Sequence, residues 1–140
     1  MAKNFDFSKI TLKVIDLNMN DTPDLYINKN NITFSKRVLD DMNYPAYVQY
    51  CVDVDNAVFA IRACKGTESR AVPFVKGHNE QPKTLSCGKK SIHAVITRMI
   101  PNYQDKKRYK VEGRYDGENK IMYYYLREAE LSAFYKEEQE

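Results

Sequence analysis

Tryptophan is absent from this chain of 140 residues, and histidine occurs only at His78 and His93. No Asp, Glu or Cys cluster gives either histidine a metal-ligand spacing, and a metal site needs several convergent ligands. His78 lies in a stretch containing glycine and proline and His93 lies beside an apolar helical stripe, so both read as structural or solvated. Cysteine is scarce and odd in number. Cys51, Cys64 and Cys87 lack C-x-x-C spacing, which argues against a zinc ribbon, a redox pair or a disulfide framework and fits free thiols in a reducing compartment. No run of eighteen apolar residues occurs, and Met1 to Asp6 is not a secretory signal. A soluble, cytoplasmic chain with no membrane partner is expected. The P-loop, the dinucleotide fingerprint and the nucleophile elbow are all missing. Asp53 and Asp55 are the nearest approach to a carboxylate pair, but they bracket a turn, where Asp serves the backbone. The expectation is a protein that is not an enzyme and uses no metal or cofactor.

What the chain does have is enough apolar residue to fold. An apolar content of 43% with 12% aromatic is that of a globular protein, and the length suits one domain with a real core. The pattern of elements is written twice. Ile32-Thr33-Phe34 leads through Lys36-Arg37 into a short helix, N-capped by Ser35 and carrying Val38, Leu39 and Met42 on one face. A hairpin follows from Tyr47 to Ala63, with Val48, Tyr50, Val52 and Val54 alternating before the Asp55-Asn56 turn. From Thr84 the order recurs: Thr84-Leu85-Ser86, Lys89-Lys90, a helix with Ile92, Val95, Ile96 and Met99 at helical spacing, then a hairpin from Tyr109 to Leu126 turning at Asp116-Gly117. The predicted fold class is α+β, a duplicated β-α-β-β unit forming a small mixed sheet or a swapped-hairpin barrel. Its first half spans residues 25–64, a linker 65–82 and the second half 83–127. A strand at Ile10–Ile15 precedes them, and a C-terminal helix over 128–139 follows, from Leu131, Phe134 and Tyr135 at helical spacing.

Charge is distributed unevenly. Residues 1–82 balance to zero, residues 83–114 carry nine basic against two acidic side chains, and residues 116–140 carry three basic against seven acidic. A basic block of net +7 followed by a tail of net −4 points to a polyanionic partner, or to the tail folding back on the block. Lys36-Arg37 and Lys89-Lys90 both sit at predicted helix starts, where cations oppose the macrodipole and a bound anion would relieve the conflict. Lys106, Lys107, Arg108, Lys110 and Arg114 interleave with Tyr109 and Tyr115, a pairing of phosphate-neutralising and stacking side chains. Tyr123-Tyr124-Tyr125 supplies an aromatic strand whose edge or face suits a second protomer.

The run Ile32-Thr33-Phe34-Ser35, the short helix to Met42 and the hairpin to Ala63 resemble the swapped-hairpin module of AbrB- and MraZ-type regulators, and the stretch from Thr84 is similar in a degenerate way. In that family a strand leads into a short helix and an alternating hairpin, and two copies interlock into a barrel. Ser35 stands where the family commonly has proline, Asn43 where it has glycine, and Leu39 and Asp40 where DNA-binding members carry arginines. The resemblance implies a DNA-binding transcription regulator that works as a homodimer or larger assembly. The functional expectation is a nucleic-acid-binding regulatory protein using Lys36, Arg37, Lys89, Lys90, Lys106, Lys107, Arg108, Lys110 and Arg114. The alternative is a protein–protein interaction module, of the kind a phage or mobile element encodes, that uses the acidic tail and the tyrosine strand.

Overall fold

In β1 (Asp24–Ile27) and β2 (Ile32–Ser35) the side chains alternate, with Leu25, Ile27, Ile32 and Phe34 turned inward and fully or nearly fully buried. A computed structural model describes residues 8, 10–12, 22–76 and 84–132 of the chain. After β2 come α1 (Lys36–Asp41), the hairpin β3 (Tyr47–Asp53) and β4 (Val58–Cys64), and the short β5 (Val72–Pro73). The second half holds β6 (Thr84–Cys87), α2 (Lys90–Met99), β7 (Tyr109–Glu112), β8 (Arg114–Asp116), β9 (Ile121–Tyr125) and β10 (Glu130–Leu131).

The strands form two five-stranded sheets. One has the order β10-β7-β1-β2-β6, the other β5-β3-β4-β9-β8, and every pairing in both is antiparallel. Their inner faces share one core. In the first sheet Leu25 stands opposite both Phe34 and Val111, and in the second Tyr50–Ile61–Met122 and Val52–Phe59–Tyr124 line up in rows. Phe34 joins the layers, its ring 5.3 Å from Phe74 and 6.2 Å from Tyr124. The chain passes from one sheet to the other at Gly113, between β7 and β8. A side chain there would meet Met122 Sδ and Tyr124 Cε1 at 2.8 Å and the Pro23 carbonyl at 2.9 Å, so only glycine fits unstrained.

Local chemistry explains the punctuation. Val38, Leu39 and Met42 of the α1 region are buried, as the helical spacing predicts. The helix stops at Asn43 and Tyr44, both left-handed, and Tyr44 N–H donates to the Leu39 carbonyl at 2.9 Å. Pro45 follows, and the residue before a proline avoids the α region. The two hairpin turns share one design. Asp53 accepts from Asn56 N and Nδ2 at 3.3 and 2.7 Å, and Asp116 accepts from Asn119 N and Nδ2 at 3.3 and 2.7 Å. The next residue in each, Ala57 and Lys120, is left-handed. Those bonds hold both carboxyl groups below their ordinary range.

Several expectations are corrected. The sheets are antiparallel rather than mixed, and they do not close into a barrel, because each keeps two edge strands and the layers are joined by a bend instead of a continuous ladder. Ser35 precedes α1, but its hydroxyl does not cap the helix. It accepts from Asp24 N–H and donates to the Thr22 carbonyl, both at 2.9 Å, tying down the start of β1. Where a helix was expected from residue 128, Leu126–Glu128 forms a single 3-10 turn and Glu130–Leu131 pairs with β7. Leu131 falls opposite Tyr109 in that ladder; residues 133–140 lie outside the described ones. Residues 10–12 are not in a strand, and the rest of the strand expected at Ile10–Ile15 is likewise outside. So are residues 77–82 of the linker, with His78. The tyrosine strand β9 lies between β4 and β8, so it offers a face, and β8 pairs with it over Ile121–Tyr123.

Candidate nucleic-acid interface

Residues of the first sheet that alternate away from the core make a polar outer face. Register places Glu130, Lys110, Tyr26, Thr33 and Ser86 in one row across its five strands. One step further lies the β1–β2 turn, where Asn28 acts as a hub. Its Nδ2 donates to Asn31 Oδ1 at 2.7 Å and to Thr33 Oγ1 at 3.0 Å, and Thr33 Oγ1 lies 3.0 Å from Ser86 Oγ. Asn28 Oδ1 accepts from Arg108 Nε at 2.9 Å, and the Arg108 guanidinium lies 4.2 Å from the centroid of the Tyr26 ring. Such stacking orients a planar cation.

His93 links this turn to α2. Its Nε2 is 2.7 Å from the Asn28 carbonyl oxygen, which makes Nε2 the protonated nitrogen, and its backbone N–H donates to the Lys89 carbonyl at 3.2 Å. The start of α2, with exposed Lys89 and Lys90, is thereby tethered to the tip of the first sheet. Lys106 and Lys107 lie in the turn that leads into Arg108, closed by Lys107 N–H on the Gln104 carbonyl. Six of the nine expected basic residues (Lys89, Lys90, Lys106, Lys107, Arg108 and Lys110) therefore gather around one hairpin tip, joined there by Lys29. The opposite end of the face is acidic. Asp24 is buried across from Glu112, and its carboxyl is pushed up by burial, which the Thr22 hydroxyl and Lys110 partly offset.

The other three expected residues lie apart. Lys36 Nζ pairs with Asp40 at 3.0 Å and Arg37 Nε with Asp41 at 2.7 Å, both one turn along α1. Arg114 lies past the Gly113 bend on the outer face of the second sheet. There it bonds Glu128 at 3.0 Å, and its guanidinium lies 4.7 Å from the Tyr125 ring centroid. Sequence reasoning missed Tyr26, Asn28, Thr33, Ser86 and the tethering part of His93. The outward phase of Tyr26 between buried Leu25 and Ile27 was a usable signal; the partners of Asn28 and His93 were not, being distant in the chain.

All three cysteines are free thiols, Cys87 buried and Cys51 and Cys64 half-buried. Among the described residues no group of three or more His, Cys, Asp or Glu is placed to hold a metal ion, and no helix is long and apolar enough to cross a membrane. No known protein family, curated protein or solved structure matches the chain.

Proposed function

We propose that this chain is a non-enzymatic nucleic-acid-binding protein of regulatory type, and that the basic zone around the β1–β2 tip is its contact surface. The observation that carries the reading is the convergence of Lys89, Lys90, Lys106, Lys107, Arg108 and Lys110 on one turn from two separate parts of the chain. Cations so gathered neutralise successive phosphates and release their counterions, while the Arg108–Tyr26 stack offers a planar surface to a base or sugar. Lys36 and Arg37, already paired along α1, and Arg114, on the other sheet, fall outside this surface.

Fluorescence anisotropy with labelled duplex and single-stranded DNA over a salt series tests it. Six phosphate contacts give a slope of log K against log[salt] of about −5 on duplex DNA. Changing Lys106 and Lys107 together to Ala makes that slope shallower by about 2, whereas Arg114→Ala leaves it unchanged. Absence of binding at low salt would sink the reading.

The same proposal includes descent of the two halves from one duplicated β-α-β-β unit, the unit order in which the chain is similar to AbrB-type modules. Two pairings favour it: β2 with β6 and β4 with β9 are each antiparallel neighbours, as copies related by a local two-fold would be. The matching Asp–Asn turns favour it too. Exchanging residues 54–56 for the sequence of 117–119, with the buried Ala57 kept, is expected to hold the melting temperature within a few degrees. A collapse of the fold on exchange would speak against equivalent hairpins.

A further inference from the structure

We infer that the free edge of β3 pairs with the same edge of a second copy of this chain, building a two-fold dimer. β3 has seven residues, but β5 covers only Tyr47 and Val48. The Phe74 N–H donates to the Ala46 carbonyl at 2.7 Å, which sets the phase of the ladder: even-numbered residues of β3 direct their backbone groups to this edge, odd-numbered ones to β4. The N–H and C=O of Tyr50 and Val52 therefore point outward, and among the described residues no strand pairs with them. Val52 and Val54 stand there 50% and 66% exposed. Beneath the edge, Tyr50, Val52 and Phe59 from the sheet and Ser91, Ile92 and Val95 from α2 line a mainly apolar groove of about 210 Å³. An unpaired edge above an apolar groove is the geometry that an added strand completes.

The occupant follows from register and charge. A two-fold centred on Tyr50 would place Val48 in the pairing, and Val48 is already held by Val72. Centred on Cys51, it would draw in Gln49, whose side-chain amide donates to the Ser69 carbonyl beside the edge. Centred on Asp53, it would set that carboxylate against itself. Val52 is the centre that remains. It pairs Val52 with the partner's Val52 and Cys51 with the partner's Asp53, and sets Tyr50 beside the partner's Val54, whose carbonyl stays on the Ala57 N–H of its own turn. Both exposed valines then lie on the inner face, with the partner's Val54 over the groove beside Tyr50. Ser91 lines the groove together with Tyr50, so the basic Lys89-Lys90 segment lies beside the Tyr50 end. Antiparallel pairing brings the partner's Asp53–Asp55 turn to that end, and the two-fold repeats the complementarity. This dimer does not rest on the nucleic-acid reading.

Sedimentation velocity at tens of micromolar is expected to show a dimer for the full chain. Val54→Lys, at a position two-thirds exposed, should weaken it at least tenfold. Val52→Pro removes an N–H that pairs with none of the described residues, so it should give a folded monomer. Should Val52→Pro fail to fold, Val54→Lys carries the test. Asp53→Cys places a thiol opposite the partner's Cys51, and oxidation with diamide should then give a covalent dimer that the wild-type chain does not. A monomeric wild type, or dimers that survive both Val54→Lys and Val52→Pro, would overturn the proposal. A dimer in which Asp53→Cys does not cross-link would overturn its register.

Discussion

Replacing Gly113 with alanine tests the bend on which both sheets depend. The added Cβ would lie 2.8 Å from Met122 Sδ and Tyr124 Cε1 and 2.9 Å from the Pro23 carbonyl oxygen. Met122 and Tyr124 are fully buried, so neither has open space to swing into. Pro23 is constrained as well, because its oxygen accepts the Gly113 N–H at 2.6 Å and moving it loosens that bond. Overpacking a closed core costs about 1–3 kcal/mol, and three simultaneous clashes put this site at the upper end. Alanine regains about 0.5–1 kcal/mol of backbone entropy in a strand, leaving a net loss of about 2 kcal/mol. For a domain of this size that lowers the melting temperature by roughly 4–8 °C. Gly88→Ala is the matched control. Its Cβ would meet nothing within 4 Å, and its backbone is not left-handed, so a gain of about 0.4–1 kcal/mol is expected. Differential scanning calorimetry of both variants beside the wild type decides the matter. A Gly113→Ala protein as stable as wild type would refute the claim that this bend has no room for a side chain.

Two other positions give distinct signatures. Tyr124 is fully buried between Phe34 and Phe59, and its hydroxyl has no hydrogen-bond partner among the described residues. Tyr124→Phe removes the stranded group and should raise stability by about 1 kcal/mol in urea titration; a loss instead would mean that a buried water satisfies the hydroxyl. Asp24 has its carboxyl pushed up by burial, so the folded chain holds that proton more tightly than the unfolded chain. The resulting stabilisation is full below the ordinary carboxylate value and is lost as pH rises through the raised one. Asp24→Asn should therefore melt higher than wild type at neutral pH, with the difference shrinking as the pH is lowered. A difference that grows toward acid would contradict the sign.

Short-range features were legible in the residues themselves. Alternation from Val48 to Val54 and the Asp55-Asn56 turn marked the β3–β4 hairpin, and the spacing of Val38, Leu39 and Met42 marked the buried face of α1. The block of positive charge between residues 83 and 114 was equally plain. Each of these depends on neighbours a few positions away, whose propensities and side-chain bonds act before the chain is compact. Tertiary structure decided the rest. Tyr109, Val111, Gly113 and Tyr115 share the alternation of one strand, yet the chain crosses between sheets at Gly113 because Met122, Tyr124 and Pro23 close in on it there. Leu131 has helical spacing with residues beyond it, yet it pairs in a ladder opposite Tyr109. Lys106, Lys107, Arg108 and Lys110 were visible as a run, but only Asn28, 80 positions before Arg108 and 65 before His93, brings that run beside the start of α2. Composition and spacing describe each segment alone, whereas the choice of neighbouring strand follows from burying the inner faces of both sheets against one core.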